Sequence, residues 1–228
     1  MPKKTKHIKT SDISGGKPWL KKTGIYKYPV DSIERKKRFL IVCEGQTEEL
    51  YFKSFPVLSA IIKPVHQGCS KTSLVECTKE YTVDEDFDEV WCVFDMDIKP
   101  GQNKQFEDYN NAIATAMDEG FKVAYSNDAF ELWFILHYKY LDQALERSSY
   151  FKMLSDYWNM SYERQGKIKA FAGKIYARLL NDENASQEKA IINARKLYDY
   201  QKEKVYHQQN PVTTVFFLVE EINKHLRR

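Results

Sequence analysis

Three short runs of apolar residues constrain the fold more than any other feature of this 228-residue chain. They are Arg38–Cys43, Glu89–Phe94 and Phe121–Tyr125, and stretches with helical periodicity lie between them. Continuous apolar runs of this length are typical of strands that are buried on both faces of a parallel sheet. Strands that alternate with helices in this way indicate βαβ units with right-handed crossovers. We therefore predict an α/β fold with a parallel sheet flanked by helices.

The periodicity between the strands predicts four helices and one weakly marked strand. Pro56 would kink or end the first helix, Asn127 can cap the fourth, and Gly120 ends the third at the C′ position. The predicted helices are Gln46–Ile62, Thr72–Tyr81, Gln105–Glu119 and Ala129–His137, and the weak strand is Val65–Cys69.

After about residue 140 we predict no further strands, and the pattern becomes helical throughout. The predicted helices there are Leu141–Trp158, Gln165–Leu180, Ser186–Tyr200 and Val212–Leu226. The chain is thus expected to have three parts. Residues 1–37 form a basic and partly flexible N-terminal arm, residues 38–140 form the α/β domain, and residues 141–228 form a helical region packed on it.

Charge is unevenly distributed along the chain, although the net charge is only +3. Residues 1–38 contain 12 Lys and Arg residues but only three acidic residues, so the remainder of the chain is mildly acidic. A basic arm on an acidic body indicates an anionic partner such as nucleic acid. A solubilising tail explains the same composition equally well, and the sequence favours neither interpretation.

Composition also limits the class of protein. No apolar run approaches the roughly 20 residues that a membrane-spanning helix needs, and the N-terminus lacks the apolar segment of a secretory signal. Cys43 and Cys92 lie inside apolar runs, and no cysteine spacing is typical of a zinc site. We therefore expect a cytoplasmic protein with reduced cysteines and no membrane partner.

Acidic residues directly follow two of the predicted strands. Glu44 comes after the first strand, and Asp95 and Asp97 come after Glu89–Phe94. The carboxyl ends of parallel strands meet at the edge of the sheet where ligands bind, and alternate residues of an extended segment point the same way. Grouped carboxylates repel one another unless a cation lies among them, and Mg²⁺ or Mn²⁺ suits such oxygen ligands. The sequence therefore predicts a Mg²⁺ or Mn²⁺ site, a hypothesis that scattered carboxylates, or carboxylates buried in salt bridges with Arg or Lys, would contradict.

Four sequence blocks resemble known families. FLIVCEGQTEELYF at 39–52 resembles the first strand and Glu-Gly turn of Toprim domains, and WCVFDMD at 91–97 resembles their Asp-x-Asp strand end. Together with AYSNDAFELWFILHY at 124–138 and NPVTTVFFLVEEI at 210–222, these blocks resemble the RloB family in the expected order. The resemblance extends over residues 38–226.

The resemblance implies a Toprim-type, Rossmann-like sheet and a metal-dependent chemistry. It implies that Glu44 serves as a metal ligand or general acid/base, that Asp95 and Asp97 bind a divalent metal, and that Glu48 is a candidate ligand of a second metal or a residue that supports the metal ligands. The helix dipole explains an acidic residue in the first turn, such as Glu48, equally well. RloB-like proteins are linked to bacterial anti-phage defence, often beside a partner ATPase. Relatives in such systems act as toxic nucleases, with tRNA among their targets. We therefore expect a Mg²⁺-dependent endonuclease that hydrolyses phosphodiesters of RNA, including tRNA, or of DNA.

Further candidates lie near the same strand ends. Glu131, on the helix after the third strand, is a candidate metal or general-base residue. Gly45, Lys71, Lys99 and Asn127 are candidates for nucleic-acid binding. Each has a simpler interpretation: Gly45 makes the turn, the lysines are solvated, and Asn127 caps a helix. His137 is a weaker catalytic candidate, because a cation at a helix C-terminus is already favoured by the dipole.

Two other functions fit parts of the sequence. The chain could be a non-catalytic or regulatory subunit of an ATPase-containing defence complex, in which case it would not bind Mg²⁺ or Mn²⁺. A nucleotide-binding α/β domain is disfavoured because no G-x-G-x-x-G or P-loop follows any strand. A partner ATPase and a homodimer are both candidate assemblies. The basic face of the predicted helix Gln165–Leu180 contacts either nucleic acid or water.

Overall fold

The structure is a computed structural model that describes residues 37–64, 70–99, 101, 104–166 and 168–227. These residues belong to one compact unit. The predicted strand Val65–Cys69, the N-terminal arm up to residue 36 and Lys167 of the basic helix lie outside the described residues. Within the described part of the chain, no helix is both long enough and apolar enough to cross a membrane.

Strands and helices alternate up to residue 136, and the rest is mainly helical. The strands are β1 (Phe39–Cys43), β2 (Ala60–Pro64), β3 (Glu89–Asp95), β4 (Lys122–Asn127) and β5 (Val212–Thr213). The helices are α1 (Gln46–Lys53), α2 (Lys71–Tyr81), α3 (Gln105–Asp118), α4 (Glu131–Leu136), α5 (Arg147–Trp158), α6 (Tyr162–Gln165), α7 (Lys169–Ala172), α8 (Ile175–Asn181), α9 (Gln187–Gln201) and α10 (Val215–Asn223), with a 3₁₀ turn at Tyr206–Gln208.

The five strands of the described chain form one sheet in the order β2-β1-β3-β4-β5. The first four strands are parallel, and β5 pairs antiparallel with β4 through Ser126↔Thr213 and Asn127↔Val212. The prediction of an α/β sheet flanked by helices, with a helical C-terminal part, is confirmed. The prediction that no strand follows about residue 140 is wrong, because β5 lies at Val212–Thr213. A strand of two residues is too short to show the alternation by which strands are recognised in a sequence.

Several predicted helices have different bounds in the structure. α1 ends at Lys53, before Pro56, and residues 60–64 form β2 instead of continuing the helix. The predicted helix Gln165–Leu180 is divided into α6, α7 and α8, with Gly166 and Gly173 at the two breaks. Gly120 follows α3 with φ +79°, as predicted for a C′ glycine.

The sheet is covered by helices on both faces. Alternate residues of β1 belong to two different core clusters: Phe39, Ile41 and Cys43 pack with α1, α4, α5 and α10, whereas Leu40 and Val42 pack with α2 and α3. All five β1 side chains are fully buried. Burial on both faces explains why the strand is a continuous apolar run without alternation.

The connections out of β1 create a switch point in the sheet. β1 is followed in the chain by β2 on one side, whereas β3 and β4 lie on its other side. Crossovers that leave in opposite directions open a crevice beyond the carboxyl ends of the two central strands, where ligands bind in such sheets. The residues that follow β1 and β3 therefore lie at the place where a functional site is expected.

Candidate active site

A pocket of about 290 Å³ lies at the carboxyl ends of β1 and β3. It is bounded by the turn after β1, the first turn of α1, the end of β3 and the starts of α4 and α5. Its lining residues are Glu44, Gly45, Gln46, Thr47, Glu48, Asp95, Asp97, Lys99, Glu131 and Arg147. Five carboxylates from separate parts of the chain thus meet at one pocket.

Asp95 and Asp97 are brought together by the way in which β3 ends. Asp95 is the last residue of β3, and its carboxylate accepts a hydrogen bond of 3.3 Å from the Phe130 backbone N–H. Asp97 lies beyond the strand in the left-handed region, with φ +44°, and its N–H donates to the Asp128 carbonyl. The two side chains therefore converge through a left-handed turn, and not through the extended segment that the D-x-D spacing suggested.

Arg147 connects these two aspartates from outside the sheet. It is the first residue of α5, and its guanidinium donates to Asp97 Oδ1 and lies 3.5 Å from Asp95 Oδ2. The Arg147 side chain is only 23% exposed. Burial of Tyr150 and Leu154 in the core fixes α5, so the arginine is held at the pocket wall.

Glu44 has its own cationic partner, Lys71. The Lys71 ammonium lies 3.1 and 3.3 Å from the two Glu44 carboxylate oxygens, and its side chain is only 9% exposed. Lys71 begins α2, and its backbone N–H donates to Asp108 on α3. The lysine predicted as a surface or phosphate-binding residue is therefore buried against the first carboxylate of the site.

Glu48 is the most enclosed carboxylate on the α1 side. It lies in the first turn of α1 and is 6% exposed. Its carboxylate is folded against Gly45, so closely that a Cβ at position 45 would overlap it. Gly45 has a φ of −108°, which any residue adopts. An alanine here would force the Glu48 carboxylate, the end of a flexible side chain, to move, whereas the backbone conformation itself would accept alanine.

Glu131 forms the opposite wall of the pocket. It is the first residue of α4 and is 5% exposed. The Tyr162 hydroxyl donates a hydrogen bond of 3.1 Å to its Oε1. Tyr162 begins α6, so the helical C-terminal part contributes to the site through this bond as well as through Arg147.

The remaining sequence candidates lie in different environments. Lys99 is 61% exposed and pairs with Asp97 at 3.2 Å. Asn127 is fully buried within β4, where its Nδ2 donates to the His207 carbonyl. The prediction that Asn127 caps the next helix is wrong, because that helix begins at Glu131 after Phe130.

His137 lies away from the pocket. It is 1% exposed, its Nδ1 donates to the Trp133 carbonyl, and burial lowers its pKa to about 4. It is therefore neutral at physiological pH, so the prediction that it is a cation at the helix C-terminus is wrong.

Burial and crowding shift the carboxyl pKa values in the pocket. Burial raises the pKa of Glu44 to about 7, with Asp95 and Asp97 adding to the increase and Lys71 opposing it. Burial and nearby carboxylates also raise the pKa of Glu48, and burial raises that of Asp95 despite Arg147. Although burial opposes the change, Arg147 and Lys99 hold the pKa of Asp97 below its ordinary value. Three of these acids therefore resist ionisation unless more positive charge enters.

The donor set fits a divalent cation by chemistry and charge. Its ligands are all carboxylate oxygens, which Mg²⁺ and Mn²⁺ prefer. The five carboxylates outnumber the three cations that line the pocket or contact it, Lys71, Lys99 and Arg147. In the arrangement described, however, no three acidic, cysteine or histidine side chains among the described residues are placed to hold a metal ion. The carboxylates therefore do form salt bridges with lysine and arginine, which the sequence analysis named as evidence against a metal site. These salt bridges neutralise only part of the negative charge of the pocket.

Arg147, Tyr162 and Asp108 are parts of this site that sequence reasoning missed. Each lies on a helix without a strand-end position or a recognisable motif. In the sequence, the only signal at these three positions is a polar side chain on a helix, and many other helical residues share that property. Contacts between residues 50 apart in sequence, such as Arg147 and Asp97, are set by helix packing.

An open, mostly parallel sheet with an acidic pocket at its switch point is the arrangement in which α/β proteins bind ligands beyond their strand ends. The chain belongs to the RloB-like protein family, whose model matches residues 39–222.

Among solved structures, the C-terminal region of the Burkholderia pseudomallei OLD protein is similar to this chain. The match has a TM-score of 0.40 and 14% sequence identity, and it covers 72% of this chain and 98% of that chain. A search of curated protein sequences finds no match.

Proposed function

We propose that this protein is a Toprim-type, metal-dependent nuclease that hydrolyses phosphodiesters of RNA or DNA as the effector of a bacterial anti-phage defence system. The observation that carries the proposal is the meeting of Glu44, Glu48, Asp95, Asp97 and Glu131 at one pocket beyond the central strands. Membership of the RloB-like family supports the defence setting. Nucleic acid, a partner ATPase and a second copy of the chain are the proposed partners.

The chain's own residues divide the work in this proposal. Glu44, Glu48, Asp95 and Asp97 would hold Mg²⁺ or Mn²⁺, which when bound would activate water and stabilise negative charge on the phosphate and leaving oxygens. Glu131, which accepts a hydrogen bond from the Tyr162 hydroxyl, would accept a proton in the reaction. Lys99 lies at the exposed side of the pocket, where it can attract a phosphate.

The test is a cleavage assay with tRNA, single-stranded DNA and double-stranded DNA, each with Mg²⁺, Mn²⁺ or EDTA. Glu44→Gln and Asp95→Asn should abolish cleavage, because each removes a charge from the proposed ion site. Glu203→Gln and Asp199→Asn are matched controls, since both residues are exposed and neither lines the pocket. Cleavage that persists in EDTA, or in both pocket variants, would contradict the proposal.

A regulatory subunit of an ATPase complex is the competing function. The ion pairs of Glu44 and Asp97 favour it, because carboxylates that are paired with Lys71 and Arg147 can serve structure alone. Calorimetric titration with Mn²⁺ separates the two functions. Binding that is lost in Asp95→Asn supports the nuclease, whereas no uptake by the wild-type protein supports the subunit.

A further inference from the structure

Arg147 occupies the part of the pocket between Asp95 and Asp97. Its two terminal nitrogens contact one oxygen of each carboxylate. An arginine fork suits this bridging role because it presents several donors in one plane. Two carboxylates that a divalent ion would need are therefore held by a cation of the protein itself.

The hydrogen bonding of this guanidinium is incomplete. Its Nε is buried but has no hydrogen-bond partner in the described part of the chain. A buried donor without an acceptor loses the hydration that it would have in water, which offsets part of the gain from the ion pairs. The contacts of Arg147 with the aspartates are thus weaker in net terms than their number suggests.

The backbone of Arg147 is fixed, whereas its side chain is long. Tyr150, Leu154 and Trp158 bury one face of α5 in the core, so the helix cannot move without loss of packing. Rotation of the side chain about its own bonds is sufficient to free both carboxylates. The arginine would stay tethered at the pocket after it releases them.

We propose that Arg147 is an internal counter-ion that a divalent cation displaces from Asp95 and Asp97. This inference rests on the proposed function, because it concerns the same pocket. Arg147 stabilises the ion-free protein and competes with the ion, so its removal strengthens ion binding. An arginine that merely positions the two aspartates for the ion has the opposite effect, since its removal weakens ion binding.

The experiment measures the dissociation constant of Mn²⁺ by calorimetry on the full-length chain, without nucleic acid. Arg147→Gln should bind Mn²⁺ about ten-fold more tightly than wild type, which corresponds to about 1.4 kcal/mol. Arg147→Lys should lie between the two, because lysine keeps the charge but cannot bridge two carboxylates as a fork. Arg195→Gln is the matched control: Arg195 forms an ion pair of 2.6 Å with Glu220, away from the pocket, so its affinity should equal wild type.

Thermal unfolding gives a second readout. Arg147→Gln should unfold at a lower temperature than wild type without Mn²⁺, and saturating Mn²⁺ should raise its unfolding temperature by a larger increment. If this variant does not fold, Arg147→Lys decides: tighter binding than wild type supports the inference, and equal or weaker binding overturns it.

The outcomes separate the inference from the proposed function. If wild type binds Mn²⁺, Asp95→Asn does not, and the folded Arg147 variants bind no more tightly than wild type, the inference fails and the metal site stands. If neither wild type nor the variants bind Mn²⁺, or if Asp95→Asn binds it as wild type does, both fail.

Discussion

The Tyr162 hydroxyl donates a hydrogen bond of 3.1 Å to Glu131 Oε1 and thereby connects α6 to the acidic pocket. Both residues are buried, with exposures of 1% and 5%. Burial and the neighbouring Glu131 carboxylate raise the pKa of Tyr162, so the phenol keeps its proton and remains a donor. The helical C-terminal part thus fixes the orientation of a carboxylate that begins α4.

Tyr162→Phe should reduce the proposed nuclease activity about ten-fold, which corresponds to about 1.4 kcal/mol in the activation barrier. The ring packs against Trp158 and Phe171, and phenylalanine keeps those contacts while it removes the donor. The free energy of unfolding should fall by about 1 kcal/mol, as is typical for the loss of one buried hydrogen bond. Cleavage rates and urea unfolding measure the two effects.

Tyr157→Phe is the control for this substitution. Tyr157 stacks on Tyr138 with a centroid distance of 4.2 Å and is 37% exposed. Removal of its hydroxyl should change neither cleavage nor stability appreciably. Equal cleavage rates for Tyr162→Phe and wild type would show that the hydrogen bond to Glu131 has no part in the reaction.

Gly45→Ala should destabilise the protein and weaken Mn²⁺ binding. The added methyl group would overlap the Glu48 carboxylate, which must then rotate away from its position in the pocket. Because the group that must move is the end of a flexible side chain, we expect a cost of about 1 kcal/mol, the lower end of the range for overpacking. Urea unfolding and calorimetry with Mn²⁺ measure the two consequences.

Gly173→Ala is matched to this change because Gly173 also lies at a helix end, as the C-cap of α7, with a negative φ. Its Cβ would meet the Lys169 carbonyl at 3.4 Å, an ordinary contact, so we expect a change of less than about 0.5 kcal/mol. If Gly45→Ala is as stable as Gly173→Ala, the closeness of Glu48 to position 45 does not constrain the glycine.

The sequence predicts the sheet well because buried parallel strands have a strong and local signature. β1, β3 and β4 coincide with apolar runs of the sequence. The acidic residues after β1 and β3 meet at one edge of the sheet because the carboxyl ends of parallel strands meet there. Topology alone brings Glu44 close to Asp95, so their proximity is predictable without knowledge of side-chain contacts.

The internal cations and the shape of the turn after β3 could not be predicted in this way. Lys71 and Arg147 contact the pocket carboxylates because of the positions in which α2 and α5 pack against the sheet. Those positions depend on contacts between residues that are distant in sequence. The left-handed conformation of Asp97 depends on the bond from its N–H to the Asp128 carbonyl. Periodicity reports burial, and it contains no information about such partners.

His137 should lower the free energy of unfolding as the pH decreases from about 6.5 to about 4, whereas Glu44, whose pKa burial raises to about 7, acts in the opposite direction over this interval. Burial lowers its folded-state pKa to about 4, so the unfolded chain binds a proton in this range that the folded protein does not. The contribution is about 2 kcal/mol between about pH 7 and about pH 5. Urea unfolding of wild type and of a variant that lacks the imidazole, at these two pH values, measures it.

His137→Asn isolates this effect, because asparagine keeps a donor for the Trp133 carbonyl but does not titrate. From about pH 7 to about pH 5, the free energy of unfolding of wild type should decrease by about 2 kcal/mol relative to that of this variant. Tyr51 and Tyr176 line a cavity of about 210 Å³ together with His137, and burial raises the pKa of each tyrosine, so both stay neutral throughout. Parallel pH profiles for the variant and wild type would contradict the burial of a neutral imidazole.

The left-handed backbone at Asp97 should be detectable by comparison of two substitutions that both remove its carboxylate. Asp97→Ala and Asp97→Gly lose the same ion pairs with Arg147 and Lys99, so the difference between them reports the backbone. At φ +44° an alanine Cβ is strained by about 1 kcal/mol, whereas glycine is not. We therefore expect Asp97→Gly to be the more stable of the two by about 1 kcal/mol in urea unfolding.

The same pair of substitutions at Asp182, whose φ is −86°, should favour alanine instead, because glycine only adds entropy to the unfolded chain there. If alanine is the more stable residue at both positions, Asp97 does not adopt the left-handed conformation in solution.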